Sequence, residues 1–324
     1  MTAFLIRRFL ISLVVLALVS LISFFIITLT PGSPYPWGDL NPKISEGVKK
    51  AYQKKFHLDQ PLHKQYWFIM RDMFTGKLVS NKDERPVLAK IGERVPYTLL
   101  LNAVALVIEF SFGIALGIYG ARFRGTWRDK STAVTAFAFI ALPGFWISYL
   151  LCIFFVKYVQ VPLLGLVTFG VQHANEWTYL LDRAWHLVLP VAVLTFGALA
   201  QVHRTLRANL LDALHAPFVA GARAKGLSER RVVRRHALRN ALNPLITLFG
   251  IRLAELLSGA ALVEIVFQYP GMGRLVLDAT VSRDVFVVTG AVMLGALVLV
   301  AANLLADVAL AWLDPRVESI GASA

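Results

Sequence analysis

Phe9–Thr30 reads FLISLVVLALVSLISFFIITLT, without one charged residue, and Arg7-Arg8 stands directly before it. At about 1.5 Å of rise per residue, a helix of this length crosses the roughly 30 Å hydrocarbon core of a bilayer. The run exceeds the apolar region of a signal peptide, about 7–15 residues, and no Ala-x-Ala cleavage pattern follows it. Pro31-Gly32-Ser33-Pro34 marks instead where a helix stops. The run therefore reads as a retained first membrane span.

Similar runs recur along the chain. Of its 324 residues, 57% are hydrophobic and 16% charged, with mean hydropathy +0.62; soluble domains carry about 25% charged residues. Six segments of roughly 20 residues would use about 120 and leave about 200 for loops and tails. Disorder, a disulfide scaffold and an ordinary soluble enzyme do not fit this balance. Cys152, the single cysteine, excludes an intrachain disulfide and reads as a small packing residue. The net charge of +13 is assigned to membrane orientation, with no nucleic-acid partner expected.

The expected spans are 9–30, 96–121, 131–156, 186–202, 244–267 and 285–312. Pro96 suits the first helical position, where its missing N–H is no loss. Gly113 and Gly117 have the spacing of close helix packing, and Pro143-Gly144 is expected to kink the third span. Arg122, Arg124, Arg128 and Lys130 crowd the loop after the second span, opposed by Asp129, and nine Lys or Arg lie in 203–243. The short loops after spans three and five hold few basic residues, so both termini are placed in the cytoplasm. The organisation expected is an N-terminus and first helix over 1–30, an extracytoplasmic segment over 31–95, a five-helix core over 96–312 and a cytoplasmic tail over 313–324. The outer segment should be partly helical around Ser45–Phe56 and Gln65–Phe74.

No HExxH, GxSxG, paired CxxC or GxGxxG occurs, so no catalytic or metal site is expected. Gly221-Ala-Arg-Ala-Lys-Gly226 has phosphate-loop glycine spacing, but Leu227 stands where the lysine must be, so the chain itself should not bind ATP. Within 203–243, Pro217 can open a short helix, Gly226 can end it at C′, and Ser228 can cap the next. This helix offers Phe218, Ala220, Gly221, Ala222 and Ala224 to a partner's groove. The arginines at 230, 231, 234, 235 and 239 are suited to anionic headgroups or an acidic partner. Glu109, Arg252, Glu255 and Asp307 lie at or near membrane depth, where ionisable groups mark a pathway or a buried pair. Arg252 with Glu255, and Asn303 with Asp307, are spaced to pair on one helix face. Glu109 has no local partner in the sequence and reads as the pathway candidate.

Phe218-Val-Ala-Gly-Ala-Arg-Ala-Lys-Gly226-Leu227, followed by His236-Ala-Leu-Arg-Asn-Ala-Leu-Asn-Pro244, resembles the cytoplasmic coupling loop of ABC importer permeases. More narrowly, it resembles the first membrane subunit of the dipeptide/oligopeptide/nickel importer family. His57-Leu-Asp-Gln-Pro-Leu62, Arg94-Val-Pro96-Tyr-Thr98, Glu264-Ile-Val-Phe267, Pro270-Gly271-Met-Gly273, Arg283-Asp284, Asn303, Asp307 and Asp314-Pro-Arg316 extend the likeness in order along the chain. Ala220-Gly221-Ala222 departs from the general Glu-Ala-Ala. The resemblance implies an all-α integral membrane protein of the type I ABC importer permease kind, in the cytoplasmic (inner) membrane. It also implies a second homologous permease, two ATPase subunits that bind ATP and Mg, and an external solute-binding protein. Pro217, Phe218, Ala220, Gly221, Ala222, Ala224, Lys225 and Gly226 would then form the coupling helix. Peptides are the implied cargo, with nickel chelates, oligosaccharides or opine-like solutes as alternatives. A passive channel, or an intramembrane enzyme using Glu109, Glu255 or Asp307, would instead act without an ATPase.

Overall fold

The computed structural model describes residues 2–29, 35, 45–256 and 260–313. Its regular structure is helical: α1 (Thr2–Leu29), α2 (Glu46–Lys55), α3 (Leu62–Phe74), α4 (Val87–Arg122), α5 (Trp127–Ala141), α6 (Gly144–Phe154), α7 (Glu176–His215), α8 (Pro217–Ala224), α9 (Glu229–Arg231), α10 (Leu238–Ala241), α11 (Asn243–Ala254), α12 (Ala261–Val266), α13 (Met272–Val281) and α14 (Val285–Leu313). Among the described residues the one β pairing is the isolated bridge Val79–Pro86. The Asp307 side chain and Asp314-Pro-Arg316 lie outside the described residues, so the expected Asn303–Asp307 pair does too.

Among the described residues four helices, α1, α4, α7 and α14, contain stretches long and apolar enough to cross a membrane. The other two expected spans are in pieces. Leu142 is extended, with φ −98° and ψ 128°, and Pro143 caps α6, so the expected kink is a break. Proline lacks an N–H and drives its predecessor out of helical geometry, and here both effects fall together. The fifth stretch is divided between α11 and α12. Pro96 also differs from expectation, lying inside α4 rather than at its start. The helix begins earlier because the turn before it hands the Val87 N–H to Leu78 O at 2.9 Å. Proline then removes one ladder bond, which long membrane helices tolerate.

The chain divides into two compact units, Met1–Tyr97 with Pro270–Ala301, and Thr98–Tyr269 with Ala302–Ala324. In the first unit, α2 and α3 lie where the sequence places helices, and Ser45 Oγ accepts from Val48 N to cap α2. Ser20 Oγ of α1 and Tyr66 OH of α3 are 2.6 Å apart, and Phe56 stacks on Phe286 at 5.0 Å. The residues before α4 are held by a polar clasp. Asp284 is buried, caps α14 by accepting from Val287 N at 3.3 Å, and also accepts from Ser80 Oγ. Lys90 Nζ lies 3.6 Å from the same carboxylate and 2.9 Å from Asp83. Partial burial pushes the Asp83 carboxyl up, but hydrogen bonds from Lys90 and the Arg85 N–H outweigh it and hold it at about 2.

In the second unit, α4 meets α7 through its glycines. A Cβ at Gly113 would lie 2.7 Å from Val202 Cβ, and one at Gly117 would lie 2.9 Å from Leu206 Cβ. The packing role expected of this spacing is what the structure contains. Cys152 packs partly buried against a cluster formed by Leu163, Leu189, Val193, Val263 and Phe267.

Gly113→Ala should destabilise the detergent-solubilised chain by about 1–3 kcal/mol, the usual cost of overpacking, seen as a lowered thermal midpoint. Gly92→Ala, where a Cβ meets nothing within 4 Å, should not lower it. The Asp83 carboxyl falls from 3.8 to about 2 on folding, so its stabilising effect is complete above the unfolded value and is lost as pH falls toward 2. Hydrogen-exchange protection of the Arg85 amide, which donates to Asp83 at 3.3 Å, should therefore stay constant from about pH 8 to 5 once intrinsic rates are divided out.

Candidate functional site

The 203–243 segment folds as the sequence punctuates it. Pro217 occupies the first turn of α8. Gly226, at φ +76°, ends it with Gly226 N–H donating to Arg223 O at 2.9 Å and Leu227 N–H to Ala222 O at 3.4 Å. That is the paired bonding of a glycine-terminated helix. Ser228 stands extended before α9, although its side chain makes no capping bond. A π-helical turn, Val232–Ala237, then leads to α10.

One expectation about α8 is corrected. Ala222 is not part of the presented surface: with Val219 it is buried in a cluster with Leu206, Leu210, Val232, Ala237 and Leu245. Helical periodicity puts 219 and 222 on one side and 218, 221 and 225 on the other. Phe218, Ala220, Gly221, Ala224, Lys225 and Gly226 are exposed, and a Cβ at Gly221 would meet nothing within 4 Å. Val219, passed over in the sequence, is the residue that seats the helix.

Beside this loop lies a pair that sequence reading missed. Arg207 grips Asp129 with two hydrogen bonds, Nε to Oδ1 at 2.6 Å and Nη2 to Oδ2 at 2.7 Å, and Gly125 N adds a third at 2.9 Å. The guanidinium holds the Asp129 carboxyl below its ordinary value. The only signal was that Asp129 is the lone acid in a basic loop.

Of the charges expected at membrane depth, Glu109 and Glu255 converge on Arg252. Its Nη1 donates to Glu255 at 2.8 Å, its Nε stands 3.3 Å from Glu109, and its Nη2 donates to Gln201 at 3.2 Å. The expected Arg252–Glu255 pair is present. Glu109, which has no partner close by in the sequence, is 4% exposed and faces Arg252, remote in the chain. Glu109 Oε1 and Arg252 Nε make no aligned hydrogen bond, so charge rather than hydrogen-bond geometry joins them. Asn303 stands apart and exposed. Nearby, Thr98 Oγ1 donates to the buried Glu264 at 2.6 Å, and Asn102 Nδ2 donates to Leu256 O at 2.8 Å. The arrangement contains opposed charges and no nucleophile–base pair, and among the described residues no cluster of His, Cys, Asp or Glu could hold a metal.

Removing one partner of a buried pair costs about 3–5 kcal/mol because the other charge stays buried. Arg252→Met should therefore lower the thermal midpoint more than Glu109→Gln. The double variant should recover part of the Arg252→Met loss.

A family model described as binding-protein-dependent transport system inner membrane component matches residues 113–319, and the model of the corresponding N-terminal region matches 1–102. The oligopeptide transport system permease protein AppB of Bacillus subtilis is 34% identical, over 98% of this chain and 100% of its own. The glutathione transport system permease protein GsiC of Escherichia coli K12 is 33% identical, over 98% and 99%. A chain of the inward-facing MetNI methionine ABC transporter aligns with 69% of this chain and 98% of its own. Its 20% identity and TM-score of 0.49 make that likeness too remote to bear on function.

Proposed function

The chain belongs to the inner membrane components of binding-protein-dependent transport systems, and on that premise we propose that it is a permease subunit of an ATP-driven importer of short peptides. The observation that carries the substrate class is the match along nearly the whole chain to an oligopeptide permease and a glutathione permease. The proposed assembly pairs it with a second six-span permease, two cytoplasmic ATPases that bind ATP and Mg, and an external peptide-binding protein. The basic loops at 122–130 and 203–243 support six spans with both termini in the cytoplasm.

In this reading α8 docks in an ATPase cleft through Phe218, Gly221 and Lys225. Val219 and Ala222 pack with Leu206 and Leu210 of α7, and close-packed interiors transmit strain. When ATP draws the ATPases together, displacement of α8 therefore reaches α7 as a rigid-body movement, the usual mode of alternating access. The chain's own part is to couple and to conduct, while hydrolysis belongs to the partners.

Affinity purification from native membranes tests this. The wild-type chain should bring down a second permease and two ATPases. Gly221→Trp should keep the thermal midpoint and the second permease but lose the ATPases and peptide uptake. Ala222→Trp should instead fail to fold, because its side chain points into the buried cluster. ATPases retained by Gly221→Trp would remove α8 as the docking element, and a wild-type chain that purifies alone would end the importer reading.

A further inference from the structure

At the break between α5 and α6 lies a cavity of about 610 Å³, walled by the end of α5, the first turn of α6, one stripe of α7 and the start of α12. Small-molecule sites commonly measure about 300–1,000 Å³. The walls are apolar at Val193, Leu194 and Leu262, and among the described residues the polar side chains in the lining are Gln201 and Arg204. These two are three residues apart and share one face of α7.

Both polar groups are donors. Gln201 Oε1 already accepts from Arg252 at 3.2 Å, so what this side chain has left to give is mainly N–H. The Arg204 guanidinium presents five N–H groups. Among the described residues it has no ion-pair or hydrogen-bond partner, whereas Arg252 faces Glu109 and Glu255 and Arg207 faces Asp129. One end of the cavity thus holds an unopposed positive charge and donors without acceptors, and the other is apolar.

We infer that this cavity is a transit site for the peptide itself: Arg204 and Gln201 take the C-terminal carboxylate, and the apolar walls take the adjoining side chain. The inference rests on the peptide-permease reading and adds to it the residues that hold the cargo. A guanidinium meets a planar carboxylate with two parallel hydrogen bonds, which a neutral amide cannot reproduce.

The test uses the assembled permease–ATPase complex in nanodiscs without its external binding protein, so that recognition by that protein does not contribute. The probes are radiolabelled Ala-Phe and its C-terminal amide. The wild type should bind the acid at least about tenfold more tightly than the amide, the scale of one charged hydrogen-bond set. Arg204→Met should erase that preference and Arg204→Lys restore part of it. Gly197→Trp, built where a Cβ meets nothing within 4 Å, should fill the cavity and abolish binding. Copurification of the partner subunits checks that each variant assembles. Equal binding of acid and amide by the wild type, or unchanged binding by Arg204→Met, overturns the site. Uptake of Ala-Phe by the complete importer separates the two readings. Uptake without receptor-free binding overturns the transit site alone, and no uptake by the wild type overturns the peptide reading itself.

Discussion

The distance between α4 and α7 governs the second unit. Gly113 and Gly117 let the backbones approach until a single methyl would meet Val202 or Leu206, or the carbonyl oxygens of Leu199 and His203 at 3.2 Å. In a bilayer, lipid tails are as apolar as leucine, so helices associate through such close contact rather than through hydrophobic exclusion. What is built on α7 inherits that spacing: the Arg207 grip on Asp129, the Gln201–Arg204 stripe, and the cluster that seats α8. Its other end is fixed as well. Asn175 and Thr178 form a reciprocal cap, and Asp182 accepts from Thr168 N and Oγ1 at 2.7 Å each and lies 3.0 Å from His173 Nε2.

Broken helices need polar partners wherever water is excluded. The carbonyl of Leu256, just beyond the end of α11, is met by Asn102 Nδ2. The buried Glu264 of α12 is met by Thr98. Both donors lie on α4, whose glycines also meet α7, so one continuous helix supports the interrupted one. The same logic makes Arg252 a hub: Glu109 of α4, Gln201 of α7 and Glu255 at the end of its own helix surround one guanidinium. The first unit uses a comparable device. There Asp284 caps α14 and also receives Ser80 and Lys90, so a single carboxylate orders both a helix terminus and the loop before α4.

Much of this was legible in the residues. The apolar runs, the GxxxG spacing, the proline–glycine punctuation around α8 and the motifs of the coupling loop are local signals, written within a few residues of where they act. The Arg252–Glu255 pair was readable for the same reason, since a spacing of three places both on one helix face. The facing of Glu109 and Arg252 was not readable, because the two are remote in the chain. Ala222 was misread because small size alone does not say which side of a short helix meets the rest of the fold. Pro96 was misread because the start of α4 depends on a hydrogen bond to Leu78, outside the apolar pattern that delimited the span.

The sequence by itself determined that this is a helical membrane protein of the importer-permease family, because hydrophobic length, charge bias and motif order are properties of the chain taken in order. Tertiary structure alone decided which charges remote in the chain meet, which face of α8 is free, and that Gln201 and Arg204 stand at the polar end of a cavity. Those outcomes depend on the distance and rotation between helices, set by side-chain packing between segments far apart in the chain, and no local periodicity encodes them.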